Sequence, residues 1–183
     1  MRIITGKYKG RHFEIPRSFK ARPTTDFAKE NIFNVLTRYI DFDGATALDL
    51  FSGTGSITLE LLSRGCSQVI SIEQDRDHHR FICDCLKRLE ADGQALPLRG
   101  DVFRFLKSCH QQFDFIFADP PYALKELPQI PDLIFEKGIL REGGIFVIEH
   151  GKDHDFSAHP HFIEHRQYGS VNFSLFAPSG DIS

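Results

Sequence analysis

Residues 45–55, ATALDLFSGTG, pass from an apolar strand pattern into a glycine turn. Gly53 and Gly55 let the backbone turn sharply after the strand and bring its amide N–H groups close to a ligand without a clash from a Cβ atom. Asp49 lies near the end of the apolar run, where its carboxylate can receive a cationic group or order the turn. This stretch therefore predicts a strand that leads into a nucleotide-like cofactor site.

Strand and helix patterns alternate along the rest of the chain. We predict strands at 45–51, 68–73, 95–98, 113–118 and 144–149, and helices at 56–64, 76–91, 102–109 and around Leu133. This alternation is typical of an α/β fold in which a mostly parallel sheet carries helices on both faces. Two further apolar stretches, 162–168 and 171–177, flank Gly169-Ser170 and predict a C-terminal antiparallel hairpin whose last strand is reversed.

Acidic residues follow the next two strands, at the edge of the sheet where such folds bind ligands. Glu73 ends the second strand, where its carboxylate can accept hydrogen bonds from ribose hydroxyls, and Asp101 is suitably placed to accept from an adenine amino group. Thr58 stands where a dinucleotide dehydrogenase would have its third glycine, so that class is disfavoured. The simpler interpretations are a turn or helix cap for Asp49 and solvated loop carboxylates for Glu73 and Asp101.

Asp119-Pro120-Pro121-Tyr122 follows the apolar run 113–118. The two prolines stiffen the loop, so that the Asp119 carboxylate and the Pro120 carbonyl can each accept one N–H of an exocyclic amine while Tyr122 stacks on a base. The lone pair of such an amine is delocalised into its ring, and these hydrogen bonds help it to attack a sulfonium methyl group. A plain β-turn with a packed tyrosine is the alternative. Together with the glycine turn, the motif favours methylation of a nucleobase amino group.

The first 22 residues differ in charge from the rest of the chain. They contain seven basic residues against Glu14 alone, a net of +6, whereas the whole chain has a formal net charge of −3. The pattern predicts a basic β-hairpin over 1–22 and a catalytic core over 23–183, with a helix from Thr25 to Ile40. A basic arm suits contact with phosphates through Lys7, Lys9 and Arg11. A surface hairpin that contacts nothing is the alternative.

Length and composition limit the remaining classes. A chain of 183 residues with 41% hydrophobic content and 18 Phe suits one domain. The apolar runs reach about seven residues, too few to span a bilayer, and the N-terminus lacks a signal-peptide pattern. The four cysteines lack the spacing of a metal or disulfide framework. We therefore expect a soluble, cytoplasmic monomer that has reduced cysteines and does not contact a membrane.

Five of the nine histidines lie in the C-terminal third of the chain: His150, His154, His159, His161 and His165. They lack the spacing of a helical metal site, and no cysteine joins them. A solvated loop between strands is the favoured interpretation, and no metal site is predicted.

The chain also contains more specific motifs. They are Arg2-Ile3-Ile4-x-Gly6-x-x-x-Gly10-Arg11, Arg22-Pro23-Thr24-Thr25-Asp26, Glu30-x-x-Phe33-Asn34, Leu62-Ser63-Arg64 and Ile72-Glu73-x-Asp75. With Leu48-Asp49-x-Phe51-x-Gly53-x-Gly55 and Asp119-Pro120-Pro121-Tyr122, they make the chain resemble the RsmD family of bacterial 16S rRNA guanine-N2 methyltransferases over nearly its whole length.

The resemblance implies the class I methyltransferase fold, which is Rossmann-like, and S-adenosyl-L-methionine as the cofactor. It implies cofactor binding by Asp49, Phe51, Gly53, Gly55, Glu73 and Asp101, and amine positioning by Asp119, Pro120, Pro121 and Tyr122. The basic hairpin and Arg22 would then face the RNA. The substrate implied is one guanine of 16S rRNA within an assembled or partly assembled small ribosomal subunit.

Three other functions compete with this interpretation. A DNA adenine-N6 methyltransferase shares the cofactor and a similar loop, but it needs a region that reads base edges in a duplex. Ordinary strands and helices fill the chain between Gly55 and Asp119. A glutamine side-chain methyltransferase would present Asn before the two prolines. A non-catalytic RNA-binding module would keep the basic arm, but it has no use for an amine clamp and a cofactor turn.

Overall fold

The structure is a computed structural model that describes residues 1–20 and 23–179. Its strands are β1 (Thr46–Leu50), β2 (Gln68–Glu73), β3 (Ala95–Arg99), β4 (Phe113–Ala118), β5 (Leu140–His150), β6 (Phe162–Tyr168) and β7 (Val171–Phe176). Its α-helices are α1 (Asp26–Leu36), α2 (Ser56–Ser63), α3 (Arg76–Arg88), α4 (Val102–Ser108) and α5 (Ile130–Lys137). Among these helices, none combines the length and apolar character needed to cross a membrane.

The seven strands form one sheet in the order β3-β2-β1-β4-β5-β7-β6. Neighbours from β3 to β5 pair in parallel, and β7 runs antiparallel between β5 and β6. The strand order reverses between β1 and β4, which is where ligands bind in open α/β sheets. The predicted α/β class, the mostly parallel sheet and the reversed last strand are confirmed.

Alternation along the strands divides the apolar side chains between the two faces of the sheet. Ala47 packs with buried residues of α1, α2 and α3, whereas Leu48 and Leu50 pack with those of α4 and α5. Both faces of β1 are therefore covered, so its continuous apolar run belongs to a fully buried central strand.

Two predicted boundaries differ from the observed ones by four residues each. Helix α1 ends at Leu36 instead of Ile40, because the chain continues in tight turns in which Tyr39 N–H bonds the Leu36 carbonyl. Tyr39 and Ile40 still pack against the core, so the apolar spacing outlasts the helix. Strand β5 begins at Leu140, four residues before the predicted 144, and its pairing with β4 shifts register there.

The N-terminal arm forms the predicted hairpin as a short antiparallel pairing around a single bridge between Arg2 and His12. Ile3 N–H bonds the Arg11 carbonyl at 3.0 Å, and Gly10 N–H bonds the Ile3 carbonyl at 2.9 Å. Ile3 is buried, so the hairpin is part of the core and is not a free arm.

The tip of the hairpin packs on the C-terminal end of α2. Ser63 there accepts the Lys7 N–H at its carbonyl (2.7 Å) and the Tyr8 N–H at its Oγ (2.9 Å). A carbonyl in the last turn of a helix lacks an intrahelical partner, so the hairpin serves as its cap. Gly6 makes this approach with φ +97°, and a Cβ atom at this position would lie 1.9 Å from the Ser63 carbonyl oxygen.

A buried lysine joins the hairpin to two helices. Lys29 of α1 is 1% exposed, and its ammonium donates to the Arg2 carbonyl at 2.7 Å and to Ser56 Oγ at 2.9 Å. It lies 3.5 Å from Glu60 Oε1 on α2. Burial lowers the pKa of Lys29, and the Glu60 carboxylate opposes that change.

Glu60 completes this network from the other side. Its oxygens accept the Ile4 N–H at 2.8 Å, the Thr5 N–H at 3.1 Å and Arg64 Nε at 2.9 Å. Both buried charges are thus paired and hydrogen-bonded, which is the condition for tolerating them in an apolar interior.

We expect Lys29→Ala to lower the free energy of unfolding by about 3–5 kcal/mol, because it leaves the Glu60 charge buried with fewer partners. Urea denaturation followed by circular dichroism measures the loss. The neighbouring exposed residue of α1 supplies the control, Glu30→Ala. Equal effects of the two substitutions would show that the buried network does not stabilise the fold.

Candidate functional site

A cavity of about 1020 Å³ opens at the carboxyl edge of the sheet, where the strand order reverses. It is large enough for a cofactor and a base together, since ligand pockets span roughly 300–1,000 Å³. Nine of the ten predicted catalytic and cofactor residues line it: Asp49, Phe51, Gly53, Glu73, Asp101, Asp119, Pro120, Pro121 and Tyr122. The structure therefore brings together residues that are up to 73 positions apart in the sequence.

The glycine turn after β1 is built from left-handed residues. Phe51 has φ +59° although it carries a side chain, and Gly53 and Gly55 have φ of +57° and +83°. A non-glycine residue in this region is strained, and such strain is concentrated at functional sites.

Gly55 differs from the other predicted cofactor residues because it does not line the cavity. It is the N-cap of α2, and a Cβ atom at this position would lie 2.9 Å from Cγ1 of Ile82 on α3. Because Gly55 has no side chain, α2 can begin close to α3. This close approach fixes the direction of α2 after the glycine turn.

Glu73 holds the turn against β2. Its Oε1 accepts the Gly53 N–H at 2.7 Å, and its Oε2 accepts the Asp75 N–H at 2.8 Å. Each carboxylate oxygen keeps a second acceptor site, so these bonds leave Glu73 able to receive ligand hydroxyls. The solvated-loop interpretation of Glu73 is wrong, since its side chain is only 12% exposed.

Asp49 is a buried carboxylate below the turn. It is 2% exposed, and its Oδ2 accepts Thr58 Oγ1 at 2.7 Å. Burial raises the pKa of Asp49 to about 7, the hydrogen bonds from Thr58 oppose this, and the charge of Glu73 adds to it. Thr58 also bonds Ser71 at 2.6 Å. Thr58, which stands where a dinucleotide dehydrogenase has its third glycine, therefore orients the Asp49 carboxylate. This role was not predicted from the sequence.

Asp101 both lines the cavity and caps α4, where it accepts the Arg104 N–H at 2.9 Å. Phe103, two residues further along the chain, lines the cavity too, and its ring meets that of Phe51 edge to face at 6.2 Å between centroids. A planar base suits such an aromatic wall. Phe103 was not predicted from the sequence, and its signal was an aromatic residue two positions after an acidic residue at a strand end.

Asp119 follows β4 and lies beside Glu149 of β5, because the preceding residues Ala118 and Ile148 are paired in the sheet. Glu149 is 7% exposed and also lines the cavity. Burial raises the pKa of Asp119 well above its ordinary value, and the charge of Glu149 and a hydrogen bond to it raise it further. The sequence analysis missed Glu149, although it ends a predicted strand as Glu73 does.

Tyr122 is tied to Glu149 by its hydroxyl, which donates to Oε2 at 2.9 Å. Its ring packs on Gly151, where an added Cβ atom would lie 3.1 Å from the ring, yet the residue is 42% exposed. Burial and the charge of Glu149 raise the pKa of the Tyr122 hydroxyl. The orientation of the Tyr122 ring is thus fixed, and part of the ring faces the cavity. Stacking of this ring on a base stays a prediction.

Acidic groups dominate the charge of the cavity. Its wall contains Asp49, Glu73, Asp75, Asp101, Asp119 and Glu149, against Lys20 and His78 as basic groups. Such a field attracts a cation and repels a pyrophosphate. A sulfonium cofactor with an ammonium group therefore fits the donor set, whereas a dinucleotide does not.

The predicted RNA-binding residues lie apart from the cavity. Lys7, Lys9 and Arg11 are exposed, and Arg11 donates to the Arg88 carbonyl at 3.2 Å. Lys7 sits at the Ser63 end of α2, whereas Ser56 at the other end lines the cavity, so the two places are roughly 10 Å apart. Arg22 lies outside the described residues.

Two of the five C-terminal histidines, His154 and His165, line a second cavity of about 420 Å³. His150 is buried and bonded at both ring nitrogens, to the Gly151 carbonyl and to Ser174 Oγ, and burial lowers its pKa. Within residues 1–20 and 23–179, no three His, Cys, Asp or Glu side chains come close enough together to hold a metal ion.

The model of a protein family described as conserved hypothetical protein 95 matches residues 1–177. The ribosomal RNA small subunit methyltransferase D of Escherichia coli (strain K12) is 33% identical over 149 residues, which cover 81% of this chain and 74% of that protein.

Solved structures agree with this relationship. YhhF of Escherichia coli superposes with a TM-score of 0.84 at 29% identity and covers 97% of each chain. An RNA methyltransferase from Salinibacter ruber, solved with S-adenosyl-L-homocysteine, superposes with a TM-score of 0.66 at 16% identity, covering 88% of this chain and 97% of that one. The second likeness concerns the fold.

The buried Asp49 makes stability depend on pH. Its folded-state pKa of about 7 lies above its ordinary value of 3.8, so between these values the folded state holds a proton that the unfolded chain has lost. Stability therefore rises as the pH falls below about 7 and is lost as the pH rises through that value. Asp119, whose pKa is also raised, acts in the same direction.

We expect Asp49→Asn to make the free energy of unfolding less dependent on pH. At pH above 7 the substitution should raise the free energy of unfolding by up to about 4 kcal/mol, the equivalent of about three pKa units. Urea denaturation across the pH range measures it. The exposed Asp92 supplies the control, Asp92→Asn, which should keep the wild-type slope. A wild-type slope in Asp49→Asn would contradict the assignment.

Proposed function

The chain belongs to the RsmD family of rRNA methyltransferases, and on this premise we propose that it methylates the exocyclic N2 of a guanine in 16S rRNA. The observation that carries the proposal is the Asp119-Pro120-Pro121-Tyr122 loop on the wall of the cavity that also contains the glycine turn. An amine held by the loop and a cofactor held by the turn would share one cavity.

S-adenosylmethionine is the cofactor, and it supplies an electrophilic methyl group on a cationic sulfur. Glu73 would hold its ribose hydroxyls, and Asp101 with the rings of Phe51 and Phe103 would hold its adenine. Asp49 would receive its ammonium group. The acidic wall of the cavity supports this assignment, because it favours a ligand that carries positive charge.

Asp119 and Pro120 would hold the two protons of the guanine N2 amine. These bonds direct the nitrogen lone pair toward the methyl group and favour a more tetrahedral nitrogen. As the new C–N bond forms and the C–S bond breaks, positive charge develops on N2, and the Asp119 carboxylate stabilises it. The methylated nitrogen then loses one proton. Asp119 therefore acts through its charge and position.

The target guanine must leave its stack to reach this cavity, since an enzyme that modifies a base takes it out of the helix into its pocket. We propose that the substrate is an assembled or partly assembled small ribosomal subunit, in the cytoplasm, and that the chain acts as one catalytic unit. The alternative of a DNA adenine-N6 methyltransferase is disfavoured because α2, α3, α4 and three strands account for the chain between Gly55 and Asp119.

The hairpin would contact the RNA beside the target nucleotide. Its tip, at Lys7, lies about one length of α2, roughly 10 Å, from the cavity. The exposed basic residues of the hairpin would bind phosphates near the target guanine and take no part in the transfer. The alternative of a non-catalytic RNA-binding module does not account for the buried carboxylates Asp49, Asp119 and Glu149.

We expect labelled methyl groups from S-adenosylmethionine to enter small subunits isolated from a strain that lacks this gene. Nucleoside analysis should find N2-methylguanosine at one site. Asp119→Asn should lower kcat about 10²- to 10³-fold, because it removes the charge next to N2. Its dissociation constant for the cofactor, measured by calorimetry, should stay nearly unchanged.

Asp153→Ala, at an exposed loop position, is the control for this substitution. Methylation of DNA or protein, but not of subunits, would overturn the proposed substrate. A loss of cofactor affinity as large as the loss of kcat would mean that Asp119 binds the cofactor instead.

Neutralising Lys7, Lys9 and Arg11 to Gln should weaken RNA binding and flatten its salt dependence. Each lost phosphate contact lowers the slope of log K against log salt by about 0.7–0.9. Filter binding at several salt concentrations measures the slope. A control with equal charge change is Lys87, Lys107 and Lys137 to Gln, all exposed on other helices. Equal slopes for the two triple variants would remove the hairpin from the RNA interface.

A further inference from the structure

Glu149 is a buried carboxylate on the cavity wall that the transfer described above does not use. It is the penultimate residue of β5, and it lies beside Asp119 because the two strands are in register there. Its exposed fraction is 7%, although it lines the same cavity as the amine-binding loop. A charge in this position is costly unless a donor compensates it.

Two hydroxyl groups fix the orientation of Glu149. Tyr122 donates to Oε2 at 2.9 Å from the amine-binding loop, and Thr24 Oγ1 donates to Oε1 at 3.2 Å from the segment before α1. Two separate segments of the chain therefore hold the Glu149 carboxylate of β5 in place. Each oxygen keeps a further acceptor site after these bonds.

A structural role alone does not require a carboxylate at position 149. It would place two acidic groups next to each other with no basic partner among residues 1–20 and 23–179, where burial and then their repulsion raise the pKa of Asp119. The arrangement becomes favourable when a ligand brings N–H donors to both carboxylates. Guanine has this property, because its N1–H and N2 amine lie side by side on the Watson–Crick edge.

We propose that Glu149 accepts the N1–H of the target guanine while Asp119 holds its N2 amine, so that Glu149 determines the choice of base. This inference rests on the proposed guanine-N2 methylation and identifies how that site selects guanine. Adenine has an unprotonated N1, whose lone pair would face the Glu149 carboxylate. Two acceptors that face each other in a buried site cannot form a hydrogen bond, so adenine should be strongly rejected.

The test uses 2-aminopurine, which keeps the 2-amino group but has no proton on N1. It replaces guanine at the mapped target position in 16S rRNA that is ligated from fragments and reconstituted into small subunits. The measured quantity is the ratio of kcat/KM for guanine to that for 2-aminopurine. 2-Aminopurine also lacks the C6 oxygen of guanine. This difference affects the guanine to 2-aminopurine ratio of every variant equally, so it cancels when the ratios of two variants are compared.

Wild-type protein should prefer guanine by at least about tenfold, the discrimination expected of a direct hydrogen bond to a base. Glu149→Gln should lower this ratio about tenfold or more, because the glutamine amide can also donate to an unprotonated N1. Glu142→Gln, at an exposed position of the same strand, is the matched control and should keep the wild-type ratio.

Equal losses on both substrates in Glu149→Gln, with an unchanged ratio, would show a structural role and overturn this inference alone. If that variant does not fold, Thr24→Val tests the same point, since losing one orienting hydroxyl should lower the ratio in the same direction. A wild-type ratio near one overturns the inference in either case. Absence of guanine methylation by the wild type would overturn the proposed function, and this inference with it.

Discussion

The parallel register of β1, β4 and β5 is the constraint on which the site depends. It brings Asp49, Asp119 and Glu149 to one edge of the sheet, where Asp49 and Glu149 are buried and Asp119 is partly buried. Burial raises the pKa values of Asp49 and Asp119, and neighbouring acidic charges raise them further, that of Glu73 for Asp49 and those of Glu149 and Asp49 for Asp119. The same crowding makes the cavity receptive to a sulfonium and to the N–H donors of a base.

This arrangement costs stability, and other parts of the fold offset the cost. The paired charges of Lys29 and Glu60 join the hairpin to α1 and α2 behind the glycine turn. The apolar side chains on both faces of β1 hold the central strands together. Because the carboxylates are held by strands and stiff prolines, they cannot move apart to relieve their repulsion. Proteins commonly keep such destabilised groups where function requires them.

In the proposed function, base selection and RNA binding are separated in space. The cavity contains the carboxylates proposed to tell guanine from adenine, whereas the tip of the hairpin offers positive charge about one helix length away. A phosphate contact fixes the position of a nucleic acid without reading its sequence. The separation explains how an acidic protein can act on a polyanion, since Lys7, Lys9 and Arg11 are exposed on the hairpin, apart from the acidic wall of the cavity.

The sequence alone determined the α/β alternation, the reversed last strand and the two strand-end motifs, because glycine, proline and period-two patterns act over a few residues. The boundaries of α1 and β5 were less accurate, since the apolar residues Tyr39 and Ile40 pack without continuing the helix. The roles of Glu149, Phe103, Thr58 and the Lys29–Glu60 pair became clear only in the folded chain, although Glu149 and Phe103 follow the pattern of residues near strand ends. Their partners are distant in sequence or set by strand register, and tertiary packing decides such contacts.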